Sequence, residues 1–254
     1  MPLQIVTVPC RTDNFAYLVH EPASGATAVV DVPEAAPVLK ALAERGWRLG
    51  DVLLTHHHGD HVEGLAALQA GLPAPAKVTG AAADAHRLPP LDRAVAPGDT
   101  VTLGNETGEV IDVSGHTLGH IAYHFPGGPV AFTGDSLMAL GCGRLFEGDA
   151  ATMWASLSRL MALPGATRIC SGHDYLAANL AFARSVEPDN AAAAARLARA
   201  EAEGPDAIHV TLAEEQATNP FLRAGEAAVK AAVGMPEAPD GAVFAELRRR
   251  KDSF

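Results

Sequence analysis

The chain has little cysteine, no long apolar run and a shortage of positive charge, and each of these removes a class of function. Its three cysteines, Cys10, Cys142 and Cys170, are an odd number set far apart. They build neither a disulfide framework nor a thiolate zinc knuckle, and read as reduced and inert. No apolar stretch approaches the roughly 18 residues of a membrane span. Arg11, Asp13 and Asn14 arrive where a secretory leader would be apolar, so a cytoplasmic chain is expected. With 19 Lys and Arg against 30 Asp and Glu, the formal net charge of −11 argues against a general nucleic-acid surface. No Gly-x-Ser-x-Gly elbow stands between a strand and a helix, so a serine nucleophile is not indicated.

What is present is a globular composition: 254 residues, 48% hydrophobic, enough for one large domain or one domain plus a smaller one. The pattern predicts strands at 3–8, 15–19 and 28–32, a helix at 33–44 ended by Gly46, and a strand at 51–54. A helix at 63–70, strands at 77–79, 100–103 and 109–113, and a hairpin at 121–125 and 130–133 follow. Asp149 is placed to cap a helix at 151–162, and 168–170 is the last strand. From about Leu176 helices dominate; Thr211-Leu-Ala-Glu214 has capping-box spacing, and two helical stretches near 225–233 and 241–251 finish the chain. A helical second domain of about 80 residues is expected.

One stretch organises the rest. Val52-Leu-Leu-Thr-His-His-His-Gly-Asp-His-Val62 reads as the end of a buried strand that empties into metal-binding side chains. His56 and His58 are two apart, so extended backbone projects both to one side and sends His57 the other way, out of the ligand set. Asp60 and His61 follow where the chain turns at Gly59. A carboxylate among imidazoles suits zinc, or iron or manganese, and hydroxide chemistry rather than a sulfur-rich structural site. A solvated His-rich turn or an adventitious metal site is the bland alternative; the interleaved Asp and the preceding strand count against it.

Three later turns repeat the arrangement of Gly beside a His or Asp at a strand end: Gly115-His116, Gly134-Asp135 and Gly172-His173. With His56, His58, Asp60 and His61 they make seven candidate ligands, enough for two metals sharing a carboxylate. His120 reads as a hydrogen-bonding neighbour rather than a ligand. Isolated His20, His86, His124 and His209 read as surface or satisfied core residues.

Thr-His-His-His-Gly-Asp-His resembles the His-x-His-x-Asp-His signature of the metallo-β-lactamase superfamily. That resemblance implies an α+β fold, an αββα sandwich with a C-terminal helical domain, divided here as 1–173 and 174–254. It also implies the split of ligands: His56, His58 and His116 on one metal, Asp60, His61 and His173 on the other, and Asp135 bridging. Gly141-Cys-Gly-Arg-Leu-Phe-Glu-Gly148, Asn219-Pro-Phe-Leu-Arg223 and Arg248-Arg-Arg-Lys-Asp-Ser-Phe254 further resemble the hydroxyacylglutathione hydrolases, or glyoxalase II. The implied activity is hydrolysis of S-D-lactoylglutathione to glutathione and D-lactate, the second step of methylglyoxal detoxification. Two divalent ions, Zn²⁺ foremost with Fe or Mn as alternatives, would serve it, with Asp60 helping to orient the nucleophile and Asp135 shared.

The resemblance maps the glutathione contacts onto Arg144, Phe146, Tyr175, Arg248 and Lys251. Phe146 stands where the family has a Tyr, and Arg144 where it has a Lys. Cations on an otherwise acidic chain suit a ligand with two carboxylates; the plain alternative for the basic run is a solvated helix end that complements the dipole. Asn219-Pro-Phe-Leu-Arg223 reads as a structural packing turn. A small-molecule thioester, a monomer, and no nucleic-acid or membrane partner are expected. The rival functions are a mononuclear-iron persulfide dioxygenase of the same superfamily and a non-catalytic scaffold.

Overall fold

A computed structural model describes residues 2–254, apart from the Pro205 side chain. Contacts gather the chain into two compact units, one ending at Asp112 and resuming over Gly119–Gly134, the other made of Val113–Leu118 and Asp135–Phe254. Among the described residues no helix is long and apolar enough to cross a membrane.

The first unit runs β1 (Gln4–Cys10), β2 (Asn14–Glu21), β3 (Ala26–Val30), α1 (Ala35–Arg45), β4 (Asp51–Leu53), α2 (Gly59–Val62), α3 (Leu65–Gly71), β5 (Lys77–Ala81), β6 (Arg93–Val95), β7 (Thr100–Leu103), β8 (Glu106–Asp112), β9 (Ile121–Phe125) and β10 (Val130–Gly134). Strands β1 to β6 form one sheet in chain order, antiparallel from β1 to β3 and parallel from β3 to β6. Register aligns Val29, Val52 and Val78 across β3, β4 and β5. These three pack in one core with Val38 and Leu42 of α1 and Leu65 and Leu68 of α3, the apolar stripes of the two helices. Strands β7 to β10 form an antiparallel meander.

Parallel pairing of β3 with β4 brings both strand ends to the same edge of the sheet, where Asp31 and the Thr55–His61 loop follow. The helix expected over 63–70 forms as α3, Leu65–Gly71, with the one-turn α2 standing ahead of it and Gly64 between the two. The Gly64 amide donates to the Val32 carbonyl at 3.0 Å, and a Cβ at this position would stand 2.8 Å from that carbonyl and from Glu34 Cα. Only a glycine lets the two backbones approach so closely.

The second unit holds a two-residue-arm hairpin, β11 (Leu137–Met138) with β12 (Gly141–Cys142), then α4 (Ala150–Met161), β13 (Arg168–Ser171), α5 (Leu176–Val186), α6 (Ala191–Glu203), α7 (Leu212–Thr218), α8 (Ala227–Ala232) and α9 (Asp240–Asp252). Contacts do not divide the chain at 173, where the sequence suggested a boundary. The reason is packing of the 135–173 stretch with the later helices. Glu215 accepts from the Leu140 amide, Asn219 Nδ2 donates to the carbonyls of Met138 and Gly141, and Trp154 of α4 packs 5.6 Å from Phe244 of α9. Asn219, expected in a packing turn, thus ties α7 to the hairpin. Buried Arg196 and Glu215 form an ion pair in the same network; removing one partner of such a pair costs about 3–5 kcal/mol.

Candidate metal centre

In the first unit the loop after β4 gathers His56, His58, Asp60 and His61 beside Asp31. Asp31 has a left-handed backbone, φ 55°, which for a non-glycine residue is tolerated best by Asp and Asn. Its carboxylate accepts from the Thr55 amide, from the Thr55 hydroxyl and from His61 Nδ1, each at 2.8 Å. Because the Thr55 hydroxyl proton goes to Asp31, Thr55 Oγ1 accepts from His56 Nδ1 at 3.0 Å. Both imidazoles therefore carry their proton on Nδ1 and present the Nε2 lone pair. A carboxylate or hydroxyl behind the ring is the arrangement that orients a metal-binding histidine and raises its basicity. Asp31, His56 and His61 can bring one donor atom each within 4.8 Å of the others.

The remaining donors of this loop are also held. Asn14 Nδ2, at the start of β2, donates to the backbone carbonyl and to Oδ2 of Asp60, both at 3.1 Å. His58 stands at the N-cap position of α2 without a side-chain bond to the helix, and meets the His56 ring edge-on at 4.8 Å. His120 lies flat on His56, ring centroids 4.5 Å apart and 13° between planes, with Nδ1 facing the Ile121 carbonyl. It buttresses that histidine from outside the loop.

In the second unit His116 and His173 flank Asp135. His116 Nδ1 faces the Arg144 carbonyl at 2.8 Å, and a carbonyl only accepts, so this ring too has its lone pair on Nε2. That Nε2 stands 3.4 Å from Asp135 Oδ2, and His173 Nε2 stands 3.3 Å from the same oxygen. Charge-assisted hydrogen bonds would close to about 2.7–2.9 Å. The wider spacing leaves room for divalent ions between each nitrogen and the shared carboxylate, since such ligands bind at about 2.0–2.2 Å. In the first unit the lone pairs of His56 and His61, and in the second that of His116, are each fixed by a group behind the ring, which fits resident divalent metals.

Around these donors the second unit carries the side chains expected to bind substrate. Phe146 is 64% exposed and meets the His116 ring edge-on at 5.2 Å; Tyr175 stacks on His173 at 4.8 Å with 9° between planes. Lys251 Nζ donates to the Ala178 carbonyl and lies over the rings of Phe182 and Phe254. Partial burial, with Arg248 and Arg144 as neighbouring cations, lowers its pKa. Arg248 is 4% exposed: one terminal nitrogen donates to the Cys142 carbonyl at 2.9 Å, the other to Asp252 at 2.7 Å. It therefore ties α9 to β12 whatever charge it lends a ligand. The cysteines are all free and buried, and burial raises Cys10 and Cys142 to about 11 and Cys170 to about 12.

Sequence reasoning passed over Asp31 and Thr55. A signal was present, since Asp31 ends a strand that runs parallel with the one feeding the metal loop, but no motif marks it.

Residues 13–173 match the family model described as the metallo-beta-lactamase superfamily, and residues 174–254 match that of the hydroxyacylglutathione hydrolase C-terminus. A protein of Cereibacter sphaeroides named hydroxyacylglutathione hydrolase is 62% identical over 100% of both chains. One of the same name from Fuscovulum blasticum is also 62% identical, again over 100% of each. Among solved structures, ETHE1 from Myxococcus xanthus superposes with a TM-score of 0.65 at 25% identity, covering 100% of this chain and 99% of that one. Two consecutive family matches and these full-length likenesses agree with an α+β fold of mixed sheets followed by helices, and the chain belongs to the hydroxyacylglutathione hydrolase family of the metallo-β-lactamase superfamily.

Proposed function

We propose that the protein is a two-metal thioester hydrolase that converts S-(2-hydroxyacyl)glutathione, with S-D-lactoylglutathione as the reference substrate, to glutathione and a 2-hydroxy acid. The observation that carries the reading is the pairing of His116 and His173 Nε2 on one Asp135 oxygen, on a chain that matches the hydroxyacylglutathione hydrolase C-terminus. His56, His58 and His116 are assigned to one metal, Asp60, His61 and His173 to the other, and Asp135 to both. Zn²⁺ is the proposed ion, with iron or manganese able to occupy the same N/O donor set. The proposed functional division is a catalytic segment 1–173 and a substrate-binding helical segment 174–254, where the two family models meet.

When bound, such ions supply a nucleophilic water near neutral pH and polarise the carbonyl under attack. Asp60, held by Asn14, would accept a hydrogen bond from the attacking water and set its direction. Arg144 and Lys251, with the charge of Arg248 behind them, attract the glutathione carboxylates. Tyr175 offers a hydroxyl at the rim. Phe146 covers the outer face of His116 without one, and the missing neutral hydrogen bond weakens binding by about 0.5–1.5 kcal/mol. The glutathione thiol, with a pKa of about 8.5, leaves without a dedicated general acid. The proposed setting is the cytoplasm, as a monomer, in keeping with three free buried thiols.

Steady-state hydrolysis of S-D-lactoylglutathione by protein of counted metal content tests this. Turnover with two metals per chain, and loss of at least one metal in Asp135→Ala, are expected. Two metals without turnover would mean that another thioester or ester is the substrate. One iron without turnover would favour the dioxygenase.

A further inference from the structure

Between two proposed ligands sits a histidine assigned no role. The ring of His57 meets that of His58 edge-on at 5.0 Å, and its Nδ1 meets the Asp84 carboxylate at 3.0 Å. Asp84 closes the single 3-10 turn, Ala82–Asp84, that ends β5, and it is almost wholly buried. Its other oxygen accepts from Arg87, at 3.1 Å from Nε and also from Nη2. A third segment rests on the same carboxylate. A Cβ at Gly119 would stand 2.2 Å from Asp84 Cγ, so only glycine lets the chain pass there, and the next residue, His120, is the ring stacked on His56.

We propose that Asp84 is a positioning residue for the metal loop, acting through His57. The loop from Leu54 to His58 has no regular secondary structure. The His57 ring packs edge-on against the His58 ring at 5.0 Å and follows His56 directly in the chain, so holding the middle ring restrains both neighbours. A carboxylate only accepts, so His57 donates from Nδ1, and Arg87 supplies the second donor to Asp84. Through Gly119 the carboxylate also seats the segment that presses His120 on His56. The carboxylate thus restrains His56 from two directions, along its own chain and across its ring face. A surface ion pair would do neither: the anchor is buried, and its three contacts come from three separate segments.

The inference rests on His56 and His58 being ligands, and the test separates the two. Metal affinity is read by chelator competition on the metal-loaded full chain, with the visible spectrum of the cobalt-substituted protein and the melting temperature recorded beside it. Groups behind a metal ligand typically contribute about 10–100-fold in affinity. Asp84→Ala and His57→Ala should each lose affinity in that range and shift the cobalt spectrum, and the double variant should lose no more than the larger single effect. Asp84→Asn keeps an acceptor for His57 Nδ1 and should retain most of the affinity. Arg87→Met should lower the melting temperature and leave the cobalt spectrum as it is. Should Asp84→Ala fail to fold, His57→Ala and Asp84→Asn carry the comparison. Multiplying losses in the double variant, or an unchanged affinity in both single variants while the parent holds its metals, would overturn the positioning role alone. A parent chain that binds no metal would overturn the ligand assignment as well.

Discussion

His209 is buried beside Arg168, and burial first, then that cation, hold its pKa down at about 3 from the usual 6.5. The folded chain therefore keeps it neutral while the unfolded chain protonates it below about 6.5. Between these two values the unfolded state binds more protons, so stability is full above pH 6.5 and falls as pH drops towards 3. Relative to His209→Gln, the parent should lose up to about 1.4 kcal/mol per pH unit below 6.5. Denaturant unfolding at pH 7.5, 6.0 and 5.0 checks this, and parallel profiles for the two proteins would refute it. Its isolation in the sequence left His209 as either a surface or a satisfied core residue, and the structure buries it. The residues proposed to bind metal also stood out in the sequence, because His and Asp beside glycines at strand ends are rare by chance. Asp31 and Asp84 did not: a lone Asp at the end of a strand caps, turns or solvates far more often than it orients a histidine, and what sets these two apart is contact with residues 24 and 27 positions along the chain.

At the scale of elements, the local signals worked where they involve neighbours in sequence. The capping box at the start of α7 forms in both directions, Thr211 Oγ1 accepting from the Glu214 amide and Glu214 reaching back to the Thr211 amide. Asp149 likewise caps α4 through the Thr152 amide. Thr211→Ala should cost about 1 kcal/mol by equilibrium denaturation; a loss well beyond about 2 kcal/mol would mean that α7 gives way in the hairpin network of Glu215 and Asn219 too. The strands missed were β6, β11 and β12, of three, two and two residues, too short for any periodicity to show. The break ahead of α3 was hidden for a different reason. Gly64 reads as a tolerable glycine inside a helical pattern, and only the approach of the Val32 carbonyl makes it a break.

For the whole molecule, composition set the class and left the arrangement open. A ligand that binds only the folded state stabilises it by about 4 kcal/mol at a thousand times its dissociation constant. Stripping the metals with a chelator should therefore lower the melting temperature by several degrees or more, and readdition of zinc should restore it; an unchanged melting curve in stripped protein would mean that the donors hold no metal in the folded state. The division into units follows no single cut in the chain, which leaves the first unit after Asp112, rejoins it at Gly119 and leaves again after Gly134. His116 and His120, four positions apart, thus belong to different units. A gene fragment stopping at residue 173 would strand the β11–β12 hairpin without Glu215, Asn219 and Arg248. Exchanging residues 174–254 as a block would therefore have to replace every donor and acceptor that the hairpin uses.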